Sequence, residues 1–187
     1  MRIISGIYGG RRNTKKAPAG VRPTADAVRE SIFNSLFNMF DLDGKTCLDI
    51  FAGTGAMGFE ALSRGSAHCT FIEKNRATVD YIRNTAQLFN IPKSHFAIIH
   101  QSALKAIDSN LVTERKFDIC FLDPPYKLNI LSEILKKLLR YNILNPDSII
   151  SIENSNSLGF ILPTGYNIIQ EKKFGETRVL FLNPTQL

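Results

Sequence analysis

Short apolar segments alternate with helical segments along most of this 187-residue chain. The apolar segments lack the polar alternation of a half-exposed strand, so they are typical of strands covered on both faces of a sheet. Strands that are separated by helices need right-handed crossovers, which make neighbouring strands parallel. The sequence predicts strands over 46–51, 68–74, 96–101, 117–123 and 148–154, and helices over 22–40, 56–65, 76–90, 103–110 and 128–142.

The C-terminal segment 166–182 breaks this alternation. It predicts two strands that meet near Phe174-Gly175-Glu176 with no helix between them, and therefore an antiparallel hairpin. We expect one domain over 1–187, with a basic arm (1–21), an N-terminal helix (22–40) and a catalytic core (41–187). The fold class is α/β: a Rossmann-like, doubly wound, mostly parallel seven-stranded sheet that places its sites at the carboxyl ends of the strands.

The positive charge is concentrated at the N-terminus. Residues 1–30 contain seven basic and two acidic residues, which gives a net +5 of the chain's +6. Such an arm, made adaptable by Gly9, Gly10 and Gly20, suggests contact with a phosphate backbone. A solubilising tail is the alternative. The candidate RNA-binding residues that carry this charge are Arg2, Arg11, Arg12, Lys15, Lys16, Arg22 and Arg29.

Three cysteines, Cys47, Cys69 and Cys120, lie far apart in apolar segments. They lack metal-ligand spacing, so no metal site is expected, and we interpret them as reduced core residues of a cytoplasmic protein. No apolar run reaches the length of about 18 residues that a membrane-spanning helix needs. The N-terminus shows no secretory signal, and no membrane association is expected.

A glycine-rich loop follows the first strand. Gly53, Gly55 and Gly58 form G-x-G-x-x-G, a weak pattern whose first interpretation is a nicotinamide or flavin site. Asp49 lies in the strand four residues before the first glycine, and Phe51 lies between them. The pattern thus becomes D-x-F-x-G-x-G, the form found in S-adenosyl-L-methionine (AdoMet) enzymes. Glycines let the backbone approach a ligand, and the carboxylate can face the cation or order water near its amino group. A tight turn without a ligand is the alternative.

The next two strands end on further polar candidates. Glu73 ends the second strand, where an acid accepts hydrogen bonds from ribose hydroxyls. An acid at this position is common to NAD and AdoMet sites. The alternative is a surface carboxylate that pairs with Lys74 and has no ligand. Ser102 follows the third strand and offers a hydroxyl and nearby backbone N–H groups for adenine.

The fourth predicted strand runs into the motif Asp-Pro-Pro-Tyr, residues 123–126. The exocyclic amine of a base is a poor nucleophile because its lone pair is delocalised into the ring. Acceptors placed against its N–H bonds, namely the Asp123 carboxylate and the Pro124 carbonyl, can turn the lone pair toward a methyl donor. Pro124 and Pro125 stiffen the turn, and Tyr126 can stack on the base. A helix-capping turn without a catalytic role is the alternative.

The segments RIISGIYGGRR, RPTADAVRESIFN, LDIFAGTGAMGFEALSRG, FIEKN and DPPY, in this order, resemble the RsmD family over almost the whole chain. The resemblance implies an AdoMet-dependent enzyme that methylates guanine N2 of small-subunit (16S) ribosomal RNA. It also implies that Asp49, Phe51, Gly53, Gly55 and Glu73 line the cofactor pocket, and that residues 123–126 hold the guanine. Ser102 departs from the family pattern, since an acid is usual there.

The resemblance further implies that Arg22, Thr24 and Arg29 lie next to the active site and contact RNA or substrate, which makes Thr24 a further RNA-binding candidate. The alternative for Arg29 is an internal ion pair with Glu30. Because guanine N2 is out of reach in a paired stem, we expect an unpaired or flipped guanine. We expect the enzyme to act as a monomer on an assembled ribosomal particle.

Three other functions stay open at this point. An adenine-N6 methyltransferase on DNA or RNA uses the same geometry at its amine. A nicotinamide-dependent oxidoreductase has the same first loop but no use for Asp-Pro-Pro-Tyr. A non-catalytic RNA-binding protein could keep the fold without methyl transfer.

Overall fold

The computed structural model describes residues 1–21, 25–124, 130–155 and 160–185. Within these ranges the helices are α1 (Asp26–Met39), α2 (Ala56–Ser63), α3 (Arg76–Leu88), α4 (Ala103–Ile107), α5 (Asn110–Thr113) and α6 (Leu131–Arg140). The strands are β1 (Thr46–Ile50), β2 (His68–Glu73), β3 (Phe96–His100), β4 (Phe117–Leu122), β5 (Leu144–Ser155), β6 (Tyr166–Phe174) and β7 (Thr177–Pro184).

The strands form one seven-stranded sheet in the order β3-β2-β1-β4-β5-β7-β6. The first five strands of the chain pair in parallel, whereas β7 pairs antiparallel with both β5 and β6. The predicted fold class and the C-terminal hairpin are therefore confirmed. The strand order reverses between β1 and β4, and a ligand crevice is expected at this switch point.

Each face of the sheet is covered by an apolar layer. On one face α1, α2 and α3 pack against the sheet, and the rings of Phe33 and Phe121 lie 5.6 Å apart. On the other face α4 and α6 cover the sheet, with Ile134 and Leu135 fully buried. Burial on both faces explains why the parallel strands are apolar without alternation.

Three elements differ most from the prediction. Helix α1 was predicted to begin at residue 22 but begins at Asp26, after Ala25, which makes no side-chain capping bond. The helix predicted over 103–110 is two short helices, α4 and α5. Strand β5 starts at Leu144, because its first residue pairs with Phe117 before the register shifts.

The N-terminal segment forms a compact hairpin on the core instead of extending as an adaptable arm. The Ile3 amide donates to the Arg11 carbonyl, and the Gly10 amide donates to the Ile3 carbonyl, both at 3.0 Å. The side chains of Ile3 and Tyr8 are buried, and the Asn13 side chain donates to Thr85 Oγ1 of α3 at 2.8 Å. The segment is thus part of the folded structure.

A buried carboxylate on α2 holds this hairpin in place. Glu60 has no exposed surface, and its two oxygens accept the backbone amides of Ile4 at 2.8 Å and Ser5 at 3.1 Å. Arg64 Nε lies 2.8 Å from one of these oxygens, and Arg29 Nε lies 3.8 Å from the other. Glu60 therefore links α1, α2 and the N-terminal hairpin.

Across the described ranges, every helix falls short of the length and apolarity needed to cross a bilayer.

Candidate functional site

A cavity of about 860 Å³ opens at the carboxyl ends of the parallel strands, at the predicted switch point. The glycine loop between β1 and α2 forms its floor, and the tips of β2, β4 and β5 surround it. Predicted site residues that line it are Asp49, Phe51, Gly53, Glu73, Ser102, Asp123 and Pro124. The structure thus brings the two predicted motifs, the glycine loop and the tip of β4, into one cavity.

The glycine loop adopts a backbone that ordinary side chains disfavour. Gly53 and Gly55 have φ of 53° and 77°, and Phe51 reaches φ 65° although it is not glycine. A Cβ at Gly58 would lie 2.3 Å from the Phe71 ring, so this glycine permits close packing of α2 on β2. A bulky residue in the left-handed region costs about 1–3 kcal/mol and is typical of functional sites. Gly55 caps α2 and is not among the residues that line the cavity.

Asp49 is the buried acid of the site. The residue is 3% exposed, and its Oδ2 accepts a hydrogen bond from the backbone amide of Gly58 at 3.0 Å. Burial raises the pKa of Asp49 to about 7, the Gly58 hydrogen bond acts in the opposite direction, and Glu73 adds a smaller upward effect. Asp49 therefore titrates near neutral pH in the ligand-free protein, and a cationic ligand would favour its ionised form.

This raised pKa predicts how Asp49→Asn changes stability with pH. Because the folded pKa of about 7 lies above the ordinary value of 3.8, the contribution of Asp49 to stability is fully present below about pH 4 and is lost as pH rises toward 7. Asparagine can still accept the Gly58 amide. We expect the ligand-free variant to exceed wild type by about 2–4 kcal/mol at pH 8 and by much less at pH 5. Urea unfolding at both pH values measures this, and a pH-independent difference would contradict it.

Glu73 is tied to the loop that it faces. One carboxylate oxygen accepts the Gly53 amide at 3.1 Å and the other accepts the Asn75 amide at 2.8 Å. These two bonds fix the carboxylate at the tip of β2 and leave further lone pairs on both oxygens. Its position beside the glycine loop suits contact with ribose hydroxyls.

Ser102 lies at the rim of the cavity as the N-cap of α4, and its side chain is exposed. Its hydroxyl makes no capping bond to α4, which leaves it available to a ligand.

The tip of β4 faces the glycine loop across the cavity. Asp123 is half-buried, and Pro124 is buried. Pro125 and Tyr126 lie outside the described residues. Sequence reasoning missed two neighbours in the cavity wall, Glu153 at the end of β5 and Thr177 at the start of β7. Glu153 carried a signal, since it is an acid at the end of a strand predicted to be parallel.

Residues 19–21, between the N-terminal hairpin and α1, form another wall that sequence reasoning missed. Val21 packs closely on the glycine loop: a Cβ atom added at Gly53 would lie 3.2 Å from Val21 Cγ1. Ala25 and Val28 at the start of α1 extend this wall. Their small apolar side chains give no sequence signal of a binding role.

The predicted RNA-binding residues fall into three groups. Arg2, Arg11, Arg12, Lys15 and Lys16 are exposed. Arg22 and Thr24 lie outside the described residues. The prediction for Arg29 is wrong, because this side chain is 2% exposed and its guanidinium donates to Asp26 at 2.9 Å and to the Arg2 carbonyl at 2.7 Å. Its alternative partner Glu30 is also not the one observed: Arg29 pairs with Asp26 and Glu60.

Sheet order, glycine loop and acids at the ends of β1, β2 and β4 together define the Rossmann-like methyltransferase class of proteins. A family model described as "Conserved hypothetical protein 95" matches residues 1–183. The chain belongs to this family, and the RsmD resemblance is confirmed.

Three relatives illustrate the similarity. Ribosomal RNA small subunit methyltransferase D of Haemophilus influenzae is 33% identical over 175 residues, which cover 94% of this chain and 89% of that protein. The protein of the same name from Escherichia coli K12 is 33% identical over 178 residues, with 94% and 86% covered. The solved structure of the E. coli methyltransferase candidate yhhF superposes with a TM-score of 0.82 at 30% identity, and covers 98% of this chain and 97% of its own.

Proposed function

We propose that this protein transfers a methyl group from AdoMet to the exocyclic N2 of a guanine in small-subunit (16S) ribosomal RNA. One observation carries the proposal: Asp123 and Pro124 share a single cavity with the glycine loop and Asp49. A methyl donor held by the loop and an amine held at β4 would therefore meet within it. The names of the relatives supply the substrate class.

The residues present fit AdoMet. Gly53 lines the cavity at a positive φ that glycine adopts without strain, so its backbone can approach the ligand. Asp49 would hold the cationic end of the ligand, Glu73 the ribose and Ser102 the adenine edge, while Phe51 would supply apolar contact. When bound, the cofactor supplies an electrophilic methyl on a sulfonium.

The chain's own residues orient the amine. The Asp123 carboxylate and the Pro124 carbonyl would accept hydrogen bonds from the two N–H groups of the amine. These bonds would turn the nitrogen lone pair toward the glycine loop. Asp123 also stabilises the positive charge that develops on the nitrogen and can then take its proton. The Tyr126 ring would stack on the base and Pro125 would stiffen the turn. Orientation and electrostatics supply the rate enhancement, since no covalent intermediate is needed.

The exposed basic residues of the N-terminal hairpin would contact the RNA backbone. Residues 19–21 follow the hairpin in the chain and line the cavity, and we propose that RNA bound to the hairpin reaches Asp123 past this segment. We propose an unpaired or flipped guanine, an assembled small-subunit particle as substrate, and a monomeric enzyme in the cytoplasm, where the buried thiols stay reduced.

Replacing Arg12, Lys15 and Lys16 together with alanine should weaken RNA binding and reduce its dependence on salt. If each side chain neutralises one phosphate, the slope of log K against log salt falls by about 2–3. Fluorescence anisotropy with a 16S RNA fragment from 50 to 200 mM salt measures the slope, and AdoMet affinity should stay unchanged.

A matched triple variant removes the same charge from exposed positions away from the cavity, at Lys93, Arg115 and Lys136. Equal slopes for the two triple variants would show that the hairpin's charge only solvates the surface.

The proposed reaction is tested with small-subunit particles from cells that lack the protein. After incubation with the enzyme and labelled AdoMet, mass spectrometry of nucleosides should show N2-methylguanosine, and mapping should locate one nucleotide. Methylated adenine would instead support the adenine-N6 activity. Thermal stabilisation of the protein by NADH but not by AdoMet would support an oxidoreductase. RNA binding without methyl transfer would support a non-catalytic RNA-binding protein.

A further inference from the structure

A second acid stands beside Asp123 at the cavity. Strands β4 and β5 are parallel neighbours in which Leu122 pairs with Ile152. The residues that follow this pair, Asp123 just after β4 and Glu153 within β5, therefore lie at the same level of the sheet. Neighbouring strands lie about 4.8 Å apart. Both residues are half-buried and both line the cavity. A base held by Asp123 therefore lies within reach of Glu153.

The face of the sheet on which Glu153 lies also fits this contact. Glu153 is the cross-strand partner of Val179, and such partners share a face. Val179 is buried in the apolar layer beneath α1, and Val28 of α1 packs on that layer and lines the cavity. Glu153 thus faces the side that α1 covers, as Asp49 does through its register with Phe121 of the same layer.

We propose that Glu153 selects guanine by accepting the hydrogen of its ring N1–H; this inference rests on the proposed transfer to guanine N2. The N1–H donor of guanine lies next to the N2 amine, so the base presents three N–H bonds side by side. Asp123, the Pro124 carbonyl and Glu153 provide three acceptors at adjacent positions. Adenine has an acceptor at N1 beside its amine, and its lone pair would face the Glu153 carboxylate without a proton between them.

The test exchanges the base and the acid separately. Small-subunit particles are reconstituted with ligated RNA that carries either guanine or 2-aminopurine at the mapped nucleotide, and label transfer from AdoMet is measured. 2-Aminopurine keeps the 2-amino group but has an acceptor at N1. We expect wild type to prefer guanine by about 10- to 100-fold in kcat/KM, the value of a hydrogen bond to a charged group.

In the Glu153→Gln variant the ratio of kcat/KM for guanine to kcat/KM for 2-aminopurine should fall about 10-fold, because a glutamine amide can donate a hydrogen bond to N1 of 2-aminopurine. The control Glu114→Gln removes an exposed carboxylate just before β4, at the opposite end of the strands, and should keep the wild-type preference. A role of Glu153 in folding alone would lower transfer to both bases equally.

Two results would overturn the inference and leave the proposed function standing. In the first, the wild-type enzyme methylates 2-aminopurine as efficiently as guanine. In the second, the Glu153→Gln variant binds AdoMet normally and keeps the wild-type preference for guanine over 2-aminopurine. The wild-type comparison decides even if the variant does not fold. Failure of wild type to methylate guanine would overturn the proposed function as well.

Discussion

Replacing Asp123 with alanine should lower kcat for methyl transfer by about 10³-fold, with little change in the affinity for AdoMet or for the ribosomal particle. The carboxylate is proposed to orient the amine and to stabilise charge on its nitrogen, and loss of one such interaction costs about 10²–10³ in kcat. Asp123 lines the cavity at the tip of β4, whereas the proposed cofactor contacts lie on β1, β2, the glycine loop and Ser102 before α4. Single-turnover kinetics with labelled AdoMet separates the transfer step from binding.

Asp147→Ala is a matched control, because this acid is exposed near the start of β5, at the far end of the strands from the cavity. It should retain wild-type kinetics. An Asp123→Ala variant that transfers methyl groups at the wild-type rate would exclude the proposed orientation of the amine and would return Asp-Pro-Pro-Tyr to a purely structural turn.

Replacing Glu60 with alanine should lower the free energy of unfolding by about 3–5 kcal/mol, the cost of removing one partner from a buried charge cluster. The variant removes the carboxylate of α2 that pairs with the buried Arg29, and it leaves the amides of Ile4 and Ser5 without their acceptors. Urea unfolding followed by circular dichroism measures the change. Because residues 19–21 follow the hairpin and line the cavity, AdoMet affinity should fall as well.

The control is Glu30→Ala on α1, which removes an exposed acid next to Arg29 in the sequence. A change at such a site is expected to stay within about 0.5 kcal/mol. Equal losses in the two variants would show that the Glu60 cluster contributes no more than surface charge. For the same reason, deleting residues 1–20 should destabilise the whole protein and would not isolate an RNA-binding effect.

Local patterns were sufficient to predict the strands, the glycine loop and the acids Asp49, Glu73 and Asp123, because each has a distinctive spacing on a single element. The pairing of Arg29 could not be predicted in this way. The sequence suggested its neighbour Glu30, but Asp26 and the distant Glu60 are its carboxylate partners in the fold. Glu153 and Val21 were missed because their relation to Asp123 and Gly53 arises only from packing.

The α/β class and the C-terminal hairpin follow from the sequence, since hydrophobic period and turn residues act over short stretches of chain. Tertiary structure alone decided that the basic N-terminus is a docked hairpin and that residues from β5, β7 and segment 19–21 complete the cavity. The physical reason is that a buried carboxylate such as Glu60 needs partners, and which amides and guanidinium groups reach it depends on how the whole chain packs.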